Sequence, residues 1–384
     1  MLFFQELRSR GHQIDWLMQS AKPCRRSYET EWLRCKLRIG AMNSGKSRVH
    51  RLLKHVGGGI NDLHVFWMAW RNKYDFIQVK DKFVAALFAI LAARMTNTPF
   101  IYWLSFPFPE ASLYRVADGS ARYPIMYRVR GHFYKFILYK IILPASVHVF
   151  VQSEQMKRDI QKEGIAPEKM TAVPMGVDLQ RIEYPFSGDL PGKPSNEKWL
   201  VYLGTLVKTR RVDFLVRVLA IVLKHHPEAV LYLVGAGDCE SDEILIRQQA
   251  EDLDIDNRVR MTGFLPMERA WGYVSQADVC VSPFYPTPIL NSTSPTKLIE
   301  YMALAKPVVA NDHPEQRLVI EQSAGGVCVE YDESAFADAI VGLLDDPEKA
   351  ERMARDGRQY IEENRSYAVI ADRVDTTYKK ICSI

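Results

Sequence analysis

The sequence predicts an α/β fold of two domains, each built around a parallel sheet. Its 384 residues exceed what one ordinary hydrophobic core accommodates. Apolar strand patterns alternate with helical patterns in both halves, which is typical of parallel sheets that carry helices on both faces. A Pro- and Gly-rich segment at 184–198 separates the two series and predicts a linker. We therefore expect domains at 1–183 and 199–365, followed by a final helical segment at 366–384.

The composition and the cysteine pattern exclude several classes of protein. With 47% hydrophobic and 25% charged residues, the chain is globular rather than disordered or fibrous. The six cysteines form no CxxC pair, which argues against a zinc site or a disulfide framework and fits a reducing cytoplasm. No secretory signal opens the sequence, and its longest apolar run, Phe83–Ala93, is shorter than a membrane span. We expect a cytoplasmic protein with no bound metal.

Positive charge is concentrated in the first half of the chain. Residues 1–185 carry 28 Lys and Arg against 15 Asp and Glu, a net charge of +13, whereas residues 186–384 have a net charge of −9. A basic half indicates an anionic partner, such as a lipid surface, a pyrophosphate-linked acceptor or nucleic acid. Of these we expect peripheral contact with an anionic membrane at its inner face, and no nucleic acid. The alternative is that the two domains complement each other's charge.

The first half predicts five strands and four helices. No strand precedes the first helix, so we expect the chain to begin in the middle of a βαβ unit. Ligands of parallel sheets bind at the carboxyl ends of the strands, and candidate residues on that edge are Asp81, Ser105, Glu110, Ser153 and Gly176. The predicted strands are Ile14–Met18, Tyr74–Val79, Pro99–Leu104, His148–Gln152 and Met170–Pro174, and the helices are Leu2–Arg10, Phe83–Met95, Tyr123–Leu143 and Glu154–Glu163, the last capped by Ser153.

Two segments of the first half allow more than one interpretation. Helix Tyr123–Leu143 has six Phe and Tyr, four Lys and Arg and no acid, which resembles a membrane-surface helix, although a core helix with extended basic side chains is the alternative. Gly40–Ser47 matches the P-loop pattern GxxxxGK[ST]. The preceding Arg34–Ile39, with three basic residues, is a poor candidate for the buried central strand that a P-loop needs.

The second half predicts a sheet whose strands end in glycine. Gly204, Gly235 and Gly263 each follow a strand pattern, and glycine at a strand end lets a ligand approach the backbone closely. A basic loop, Thr205–Arg211, follows the first of them. The predicted strands are Trp199–Gly204, Ala229–Gly235, Arg258–Gly263, Val279–Pro283 and Val308–Ala310, with helices at Val212–His225 and Ala368–Ile381.

The segment Asn291–Ala310 predicts an anion site at a helix start. Ser294 suits the N-cap and Pro295 the first helical position, so the N–H groups of Thr296 and Lys297 stand free where the helix dipole favours an anion. Glu300, one turn further on, offers acceptor oxygens for hydroxyl groups. A phosphate at the helix start and a ribose at the glutamate fit a nucleotide. The alternative is a capped surface helix with a solvated lysine and glutamate.

These segments together resemble the retaining GT-B-fold glycosyltransferases of family 4. The resemblance covers about 300 residues and implies two Rossmann-like domains with parallel sheets facing a cleft, an acceptor-binding first domain, a nucleotide-sugar-binding second domain and a last helix that packs back on the first. The matching segments are Tyr74–Ile77, Val151–Glu154, Val173–Asp178, Leu203–Leu206, Leu233–Gly237, Thr262–Phe264, Ala277–Val279 and Lys297–Val309.

The resemblance also implies roles for individual residues. Glu300 matches the glutamate that holds the donor ribose, Thr296 and Lys297 match residues near the diphosphate, and Arg210 falls where a basic residue stabilises the leaving group. With Arg210 and Lys297, Ser105 is the third expected catalytic residue; Asp81, Glu110, Ser153 and Gly176 are expected on the acceptor side. The other expected donor contacts are Gly204, Thr205, Gly235, Gly237, Gly263, Phe264, Ser292, Ser294, Pro295 and Leu298.

Three features depart from the family pattern. Ser292 stands where a sugar-contacting Glu is common, Ser105 stands where a His is frequent, and the usual first strand with its Gly-rich turn is missing. We still expect transfer of a hexose-type sugar from a nucleoside diphosphate, with retention and no obligate metal, to a lipid-linked or cell-surface polysaccharide precursor. The alternatives are a GT-B-fold epimerase or phosphorylase, a truncated homologue with impaired catalysis, and a P-loop kinase or NTPase.

Overall fold

The computed structural model describes residues 2–24, 26–42 and 56–383 and divides the chain into two compact units. The first unit is Met1–Pro174 together with Ile370–Ile384, and the second is Met175–Val369. These bounds differ from the predicted ones, because the second unit begins before the predicted linker, 184–198. That linker packs within the second unit, where Lys193 pairs with Asp278 at 2.5 Å.

The first unit contains a four-stranded parallel sheet in the order β4-β5-β6-β7. Its strand β5 is buried at all five positions, as expected of a continuous apolar run in the middle of a parallel sheet. One face of the sheet packs on helices of the same unit, and the other packs on Ile370, Val374 and Tyr378 of the last helix. The strands are β4 (Ile77–Lys80), β5 (Phe100–Leu104), β6 (His148–Val151) and β7 (Met170–Ala172).

A small three-stranded sheet precedes it, in the order β1-β3-β2, formed by β1 (Trp16–Gln19), β2 (Tyr28–Trp32) and β3 (Cys35–Gly40). Arg34–Ile39, which the sequence makes a poor candidate for a buried central strand, thus forms most of the middle strand of a small mixed sheet, and that strand is only partly buried. Buried Cys35 and Leu37 alternate with Lys36 and Arg38, and Arg38 pairs with Glu29 on the neighbouring strand at 2.9 Å. Of the P-loop pattern, residues 43–47 lie outside the described part of the chain.

The four helices predicted in the first half are present in order, and His64–Arg71 and Phe108–Ala117 are two further helices that the sequence did not predict. Ser153 caps its helix as predicted, since its hydroxyl accepts a hydrogen bond from the N–H of Met156 at 3.0 Å. The helices are α1 (His64–Arg71), α2 (Phe83–Thr96), α3 (Phe108–Ala117), α4 (Pro124–Phe136), which continues through a π-helical segment (Ile137–Ile142) into a last turn (Leu143–Ala145), and α5 (Glu154–Lys162); a π-helical segment, Leu2–Leu7, precedes them.

The second unit contains a six-stranded parallel sheet in the order β10-β9-β8-β11-β12-β13. The chain builds outward from β8 in one direction and from β11 in the other, so the strand order reverses between them. Ligands of such sheets bind outside the carboxyl ends of the strands at this point. The strands are β8 (Lys198–Leu203), β9 (Ala229–Val234), β10 (Val259–Met261), β11 (Val279–Ser282), β12 (Val308–Asn311) and β13 (Gly326–Val329).

Helices cover both faces of this sheet, so the predicted α/β class with parallel sheets is confirmed. They are α6 (Asp213–Val222), α7 (Glu240–Asp252), α8 (Met267–Ser275), α9 (Pro288–Asn291), α10 (Thr296–Ala303), α11 (Pro314–Ser323), α12 (Glu333–Asp345) and α13 (Pro347–Asn364); the last helix, α14 (Tyr367–Cys382), belongs to the first unit from Ile370 onward.

A substitution at Gly235 would test how tightly the strand ends of this sheet are packed. A Cβ atom there would lie 2.0 Å from the carbonyl oxygen of Gly204, and the φ of +148° disfavours any other residue. We expect Gly235→Ala to cost about 3 kcal/mol or more and to lower the thermal unfolding midpoint measured by circular dichroism. Gly342→Ala is the control, because a Cβ there meets nothing within 4 Å and alanine favours helix α12. Equal midpoints for the two variants would contradict the packing.

Candidate functional site

The carboxyl edge of the second sheet brings together the three glycines that the sequence singled out. Gly204, Gly235 and Gly263 follow β8, β9 and β10, and Gly235 and Gly263 are bridged by backbone pairing. All three have positive φ, of +153°, +148° and +70°. Backbone atoms rather than side chains therefore line this edge, as a closely approaching ligand requires. Gly237 follows, where a Cβ would meet Asp242 at 2.6 Å.

Helix α10 begins at the same edge without a side-chain cap. Its N-cap residue is Pro295, which offers no side-chain hydrogen bond. The prediction that Ser294 caps the helix is wrong, because its hydroxyl instead accepts a hydrogen bond from the N–H of Met175 at 3.0 Å. The N–H groups of Thr296 and Lys297 thus keep the free helix-start position that the sequence predicted. The start is held in place by Tyr301, whose buried hydroxyl accepts a hydrogen bond from the N–H of Leu203, the last residue of β8, at 2.7 Å.

Two cations converge on one aromatic ring beside this helix start. The Lys297 ammonium lies 4.2 Å from the ring centroid of Tyr202 and 4.8 Å from that of Phe284. The Arg210 guanidinium carbon lies 5.7 Å from the Phe284 centroid. The ring faces stabilise the cations, but only in part. Arg210 reaches this position from the 3₁₀ turn Lys208–Arg210, within the basic loop predicted from the sequence.

The charge of Lys297 is not neutralised by the described residues. Its side chain is buried, and no carboxylate of residues 2–24, 26–42 or 56–383 forms an ion pair with it or with Arg210. Burial lowers the pKa of Lys297 well below its ordinary value, the charge of Arg210 lowers it further, and Glu300 opposes both. Two neighbouring cations without a counter-charge are costly, and a bound anion would relieve that cost.

Glu300 lies one turn into α10 in a partly buried position. Burial raises the pKa of its carboxyl group to about 7, and the Trp271 indole and the Lys297 charge act in the opposite direction. Burial also raises the pKa of Tyr367, as do the charges of Glu300 and then Asp178. Sequence reasoning missed Trp271 and Tyr367, because nothing in their local pattern shows that they approach Glu300.

The other predicted donor-contact residues differ in whether their side chains are exposed to solvent or buried. Phe264 projects largely into solvent at the end of β10, and Thr205 and Thr296 are exposed. Leu298 and Pro295 are buried, Leu298 in the hydrophobic core under the sheet, so only their backbone is available to a ligand. Ser292 is buried and its hydroxyl donates a long hydrogen bond of 3.5 Å to the carbonyl oxygen of Pro288.

A second group of predicted residues lies at the carboxyl edge of the first sheet. The Asp81 carboxylate accepts hydrogen bonds from the Ser105 N–H, at 2.7 Å, and from the Ser105 hydroxyl. Asp81 has a φ of +60°, which is unusual for a residue with a side chain. Such strain is typical of functional positions. The structure thus joins Asp81 to Ser105 within the first unit.

The remaining acceptor-side predictions fall into different settings. Glu110 accepts a hydrogen bond from the Tyr139 hydroxyl at 3.0 Å, and burial raises the pKa of its carboxyl group. Ser153 is fully buried and acts as a helix cap, which accounts for it structurally. Gly176 was expected in the first domain, but it belongs to the second unit, which starts at Met175.

The described residues contain no cluster of three or more His, Cys, Asp or Glu side chains that could hold a metal ion. Within the same ranges, no helix has both the length and the apolar character needed to cross a bilayer.

Two family descriptions match the chain. "Glycosyltransferase Family 4" matches residues 2–181, and "Glycosyl transferases group 1" matches residues 197–346. The chain belongs to these glycosyltransferases. The two matches correspond to the two series of strands and helices described above, and the second contains the glycine-ended strands, Arg210 and α10.

Relatives and solved structures agree with this assignment. Alpha-monoglucosyldiacylglycerol synthase from Streptococcus pneumoniae is 24% identical over 291 residues, which are 72% of this chain and 60% of that protein. The chain spans less than two thirds of several curated relatives that it matches. Sucrose-phosphate synthase from Thermosynechococcus elongatus superposes with a TM-score of 0.73 at 19% identity, over 99% of this chain and 92% of its own. HepE from Anabaena, solved with UDP-glucose, superposes with a TM-score of 0.65 at 16% identity, over 95% of this chain and 99% of its own. The fold of the chain is GT-B, as predicted.

The unpaired charge of Lys297 leads to a prediction about the free protein. We expect Lys297→Met to raise the free energy of unfolding by about 1 kcal/mol at pH 7, because it removes a buried ammonium beside Arg210. Lysine in the folded protein has a lowered pKa, so the wild type gains stability as pH rises from that pKa towards about 10.5. The difference between the proteins should therefore shrink at higher pH, as measured by urea unfolding.

Lys306→Met is the matched control for that measurement. Burial lowers the pKa of Lys306 as well, but its ammonium donates a hydrogen bond to the Ala277 carbonyl at 3.2 Å. We expect this variant to be neutral or destabilised, because the carbonyl loses its partner. A destabilised Lys297→Met protein at pH 7 would show that Lys297 is already compensated.

Proposed function

We propose that this protein transfers a hexose-type sugar from a nucleoside diphosphate sugar to an acceptor hydroxyl group with retention of configuration. The observation that carries the proposal is the pair of unneutralised cations, Arg210 and Lys297, beside the free N–H groups of α10 at the strand-order reversal. A diphosphate supplies the negative charge that this arrangement lacks. The family assignment supports the same chemistry.

The donor would bind along the glycine-ended edge. The diphosphate lies against Arg210, Lys297 and the N–H groups of Thr296 and Lys297, and the ribose hydroxyl groups donate to Glu300 in its ionised form. Gly204, Gly235 and Gly263 leave room for the nucleotide against the backbone. Uridine as the base is supported by structural neighbours that were solved with UDP or UDP-glucose.

Catalysis would come from stabilisation of the leaving group. As the bond between the sugar and the diphosphate breaks, negative charge grows on the phosphate oxygens, and two preorganised cations in a poorly solvated position stabilise that charge strongly. The departing phosphate then accepts the proton of the acceptor hydroxyl on the same face of the sugar, which gives retention. Asp81 and Ser105, which hold each other in a fixed geometry, are proposed to position the acceptor.

The acceptor is proposed to be lipid-linked or a cell-surface polysaccharide precursor, reached at the inner face of the membrane. The support is the net charge of +13 on residues 1–185, which favours an anionic surface or a pyrophosphate-linked molecule. The names of two similar proteins point the same way, the diacylglycerol-glucosylating synthase and WaaG, a glycosyltransferase involved in lipopolysaccharide biosynthesis.

The proposed ribose contact predicts a pH dependence of donor binding. Because the Glu300 pKa is about 7, its ionised fraction rises from about one tenth at pH 6 to about nine tenths at pH 8. We expect the Kd of UDP-glucose to fall about tenfold over this interval, measured by calorimetry. UDP-glucose is the right ligand, since it lacks the terminal phosphate of UDP, which itself titrates near pH 6.

Glu300→Gln is the control for that titration. The amide retains the size of the side chain and one acceptor oxygen but cannot titrate, so its Kd should change little between pH 6 and 8. A wild-type Kd that is independent of pH, or an equal slope in the variant, would remove Glu300 from the ribose site.

The proposed role of Arg210 leads to a prediction about the rate of the chemical step. We expect Arg210→Gln to lower kcat for hydrolysis of UDP-glucose by water about 10²- to 10³-fold, because the growing charge on the diphosphate loses a partner. The matched control is Arg211→Gln, since Arg211 is exposed, lies over Tyr285 and faces Asp213 at 3.6 Å. Release of UDP gives the rate without knowledge of the acceptor. Equal losses in both variants would count against a specific role, and isomerised sugar without UDP release would indicate an epimerase.

A further inference from the structure

The exposed side of helix α4 carries an apolar stripe. Ile125 is 82% exposed, Val129 66% and Phe133 58%, and these residues recur at intervals of four, on one face of the helix. Met126 and Phe136 extend the same face. Isolated exposed apolar side chains are common, but a continuous stripe of five along one helix marks an interaction surface.

The sequence allowed two interpretations of Tyr123–Leu143, a core helix and a membrane-surface helix. In the structure, each interpretation fits one end of this segment. Ile137, Leu138, Ile142 and Leu143 are buried in the core of the first unit, as the core-helix interpretation predicts. The preceding three turns, Pro124–Phe136, bury little besides Gly131. The membrane-surface interpretation therefore applies to α4 itself.

The opposite side of α4 is fixed to the first unit, so the stripe points outward. Gly131 packs so closely on α3 that a Cβ would lie 2.6 Å from Leu113. Tyr134 stacks on Phe83 at 4.8 Å, and Lys135 pairs with Glu163 at 2.6 Å. The stripe is thus a preformed, rigid surface whose apolar side chains need no rearrangement before binding.

Positive charge borders the stripe, and the chain segment that includes α4 carries no acidic residue. Residues 119–153 contain no Asp or Glu but five Lys and Arg. Arg122, Arg128 and His132 are exposed on α4 or directly before it, and Arg130 lies over the Tyr127 ring at 4.6 Å. An apolar stripe with a basic border is the pattern of helices that lie in the interface of an anionic bilayer.

We infer that this α4 face, the apolar stripe of Ile125, Met126, Val129, Phe133 and Phe136 with its basic border, is a docking surface for an anionic lipid bilayer. A second copy of the chain fits less well, because a symmetric contact would set two acid-free basic borders against each other. The biological role of this docking rests on the proposed function, because a lipid-linked acceptor would lie in that bilayer. Docking there brings the first unit to the membrane surface.

The test is co-sedimentation of the full chain with vesicles. Phosphatidylcholine vesicles are compared with vesicles of phosphatidylcholine and phosphatidylglycerol, at about 0.05 M and about 0.5 M salt. We expect binding to the anionic vesicles at least about tenfold stronger than to the neutral ones, and weaker by about fivefold or more at high salt. Absence of binding to anionic vesicles at low salt overturns the inference.

A matched pair of variants identifies the face. Val129→Ser with Phe133→Ser removes two stripe residues four positions apart, and Leu91→Ser with Met95→Ser does the same on α2, where the side chains are 52% and 73% exposed. We expect the first double variant to lower vesicle binding about tenfold or more and the second to leave it nearly unchanged. Equal binding by both, or equal loss in both, overturns the assignment to α4.

Two further measurements separate the other outcomes. Sedimentation velocity without lipid reports self-association; a dimer lost in the Val129→Ser, Phe133→Ser variant would make a second copy the occupant and overturn the inference. The thermal shift by UDP-glucose is recorded for every variant in the absence of vesicles. If the wild-type protein shows that shift but does not bind anionic vesicles, the docking inference fails while the proposed donor site stands.

Discussion

One hydrogen bond fixes the geometry on which the glycine-ended edge of the second sheet depends. The Tyr301 hydroxyl, buried within α10, accepts the N–H of Leu203 at the end of β8. This bond ties the helix that follows β11 to the strand beside it, at the reversal of strand order. Because Tyr301 is one turn from Lys297 and adjacent to Glu300, a single contact sets the position of the cation and the carboxylate relative to the glycine-ended strands. A parallel sheet alone would fix the edge but not the orientation of the helix start.

The same contact explains how a lysine can be held in an unfavourable place. Burial beside Arg210 disfavours the charged form of Lys297, and the aromatic rings of Tyr202 and Phe284 offset only part of that cost. The surrounding core, including the rigid ends of β8 and α10, supplies the rest. Functional groups held against their own preference are a general feature of binding sites, where the ligand completes the interactions that folding leaves open.

Much of this arrangement could be predicted from local sequence patterns, and the rest could not for definite reasons. Strand and helix alternation, the glycine ends and the α10 start depend on residues close together in the chain. Ser294 has the pattern of an N-cap, yet a partner 119 residues away, Met175, takes its hydroxyl. From the sequence, Arg38 makes β3 look too polar for the middle of a sheet, because its partner Glu29 lies on a neighbouring strand. Trp271 reaches Glu300 from another helix, a relation that no spacing reveals.

The net charge of each half also predicts less about its binding partner than the positions of its charged residues do. The second half of the chain carries −9, yet its candidate site is cationic, because the buried Lys297 and the half-buried Arg210 beside it outweigh distant acids that water screens. In the first half, the basic residues that border α4 lie on the surface, where each contributes little and salt weakens the sum. Two cations held in one partly buried site favour one specific anion with little sensitivity to salt, whereas an exposed basic border favours a broad anionic surface with strong sensitivity to salt. Under the proposed function and the proposed docking, the two halves would use the same charge type for two kinds of recognition, a diphosphate by geometry and a membrane by density of charge.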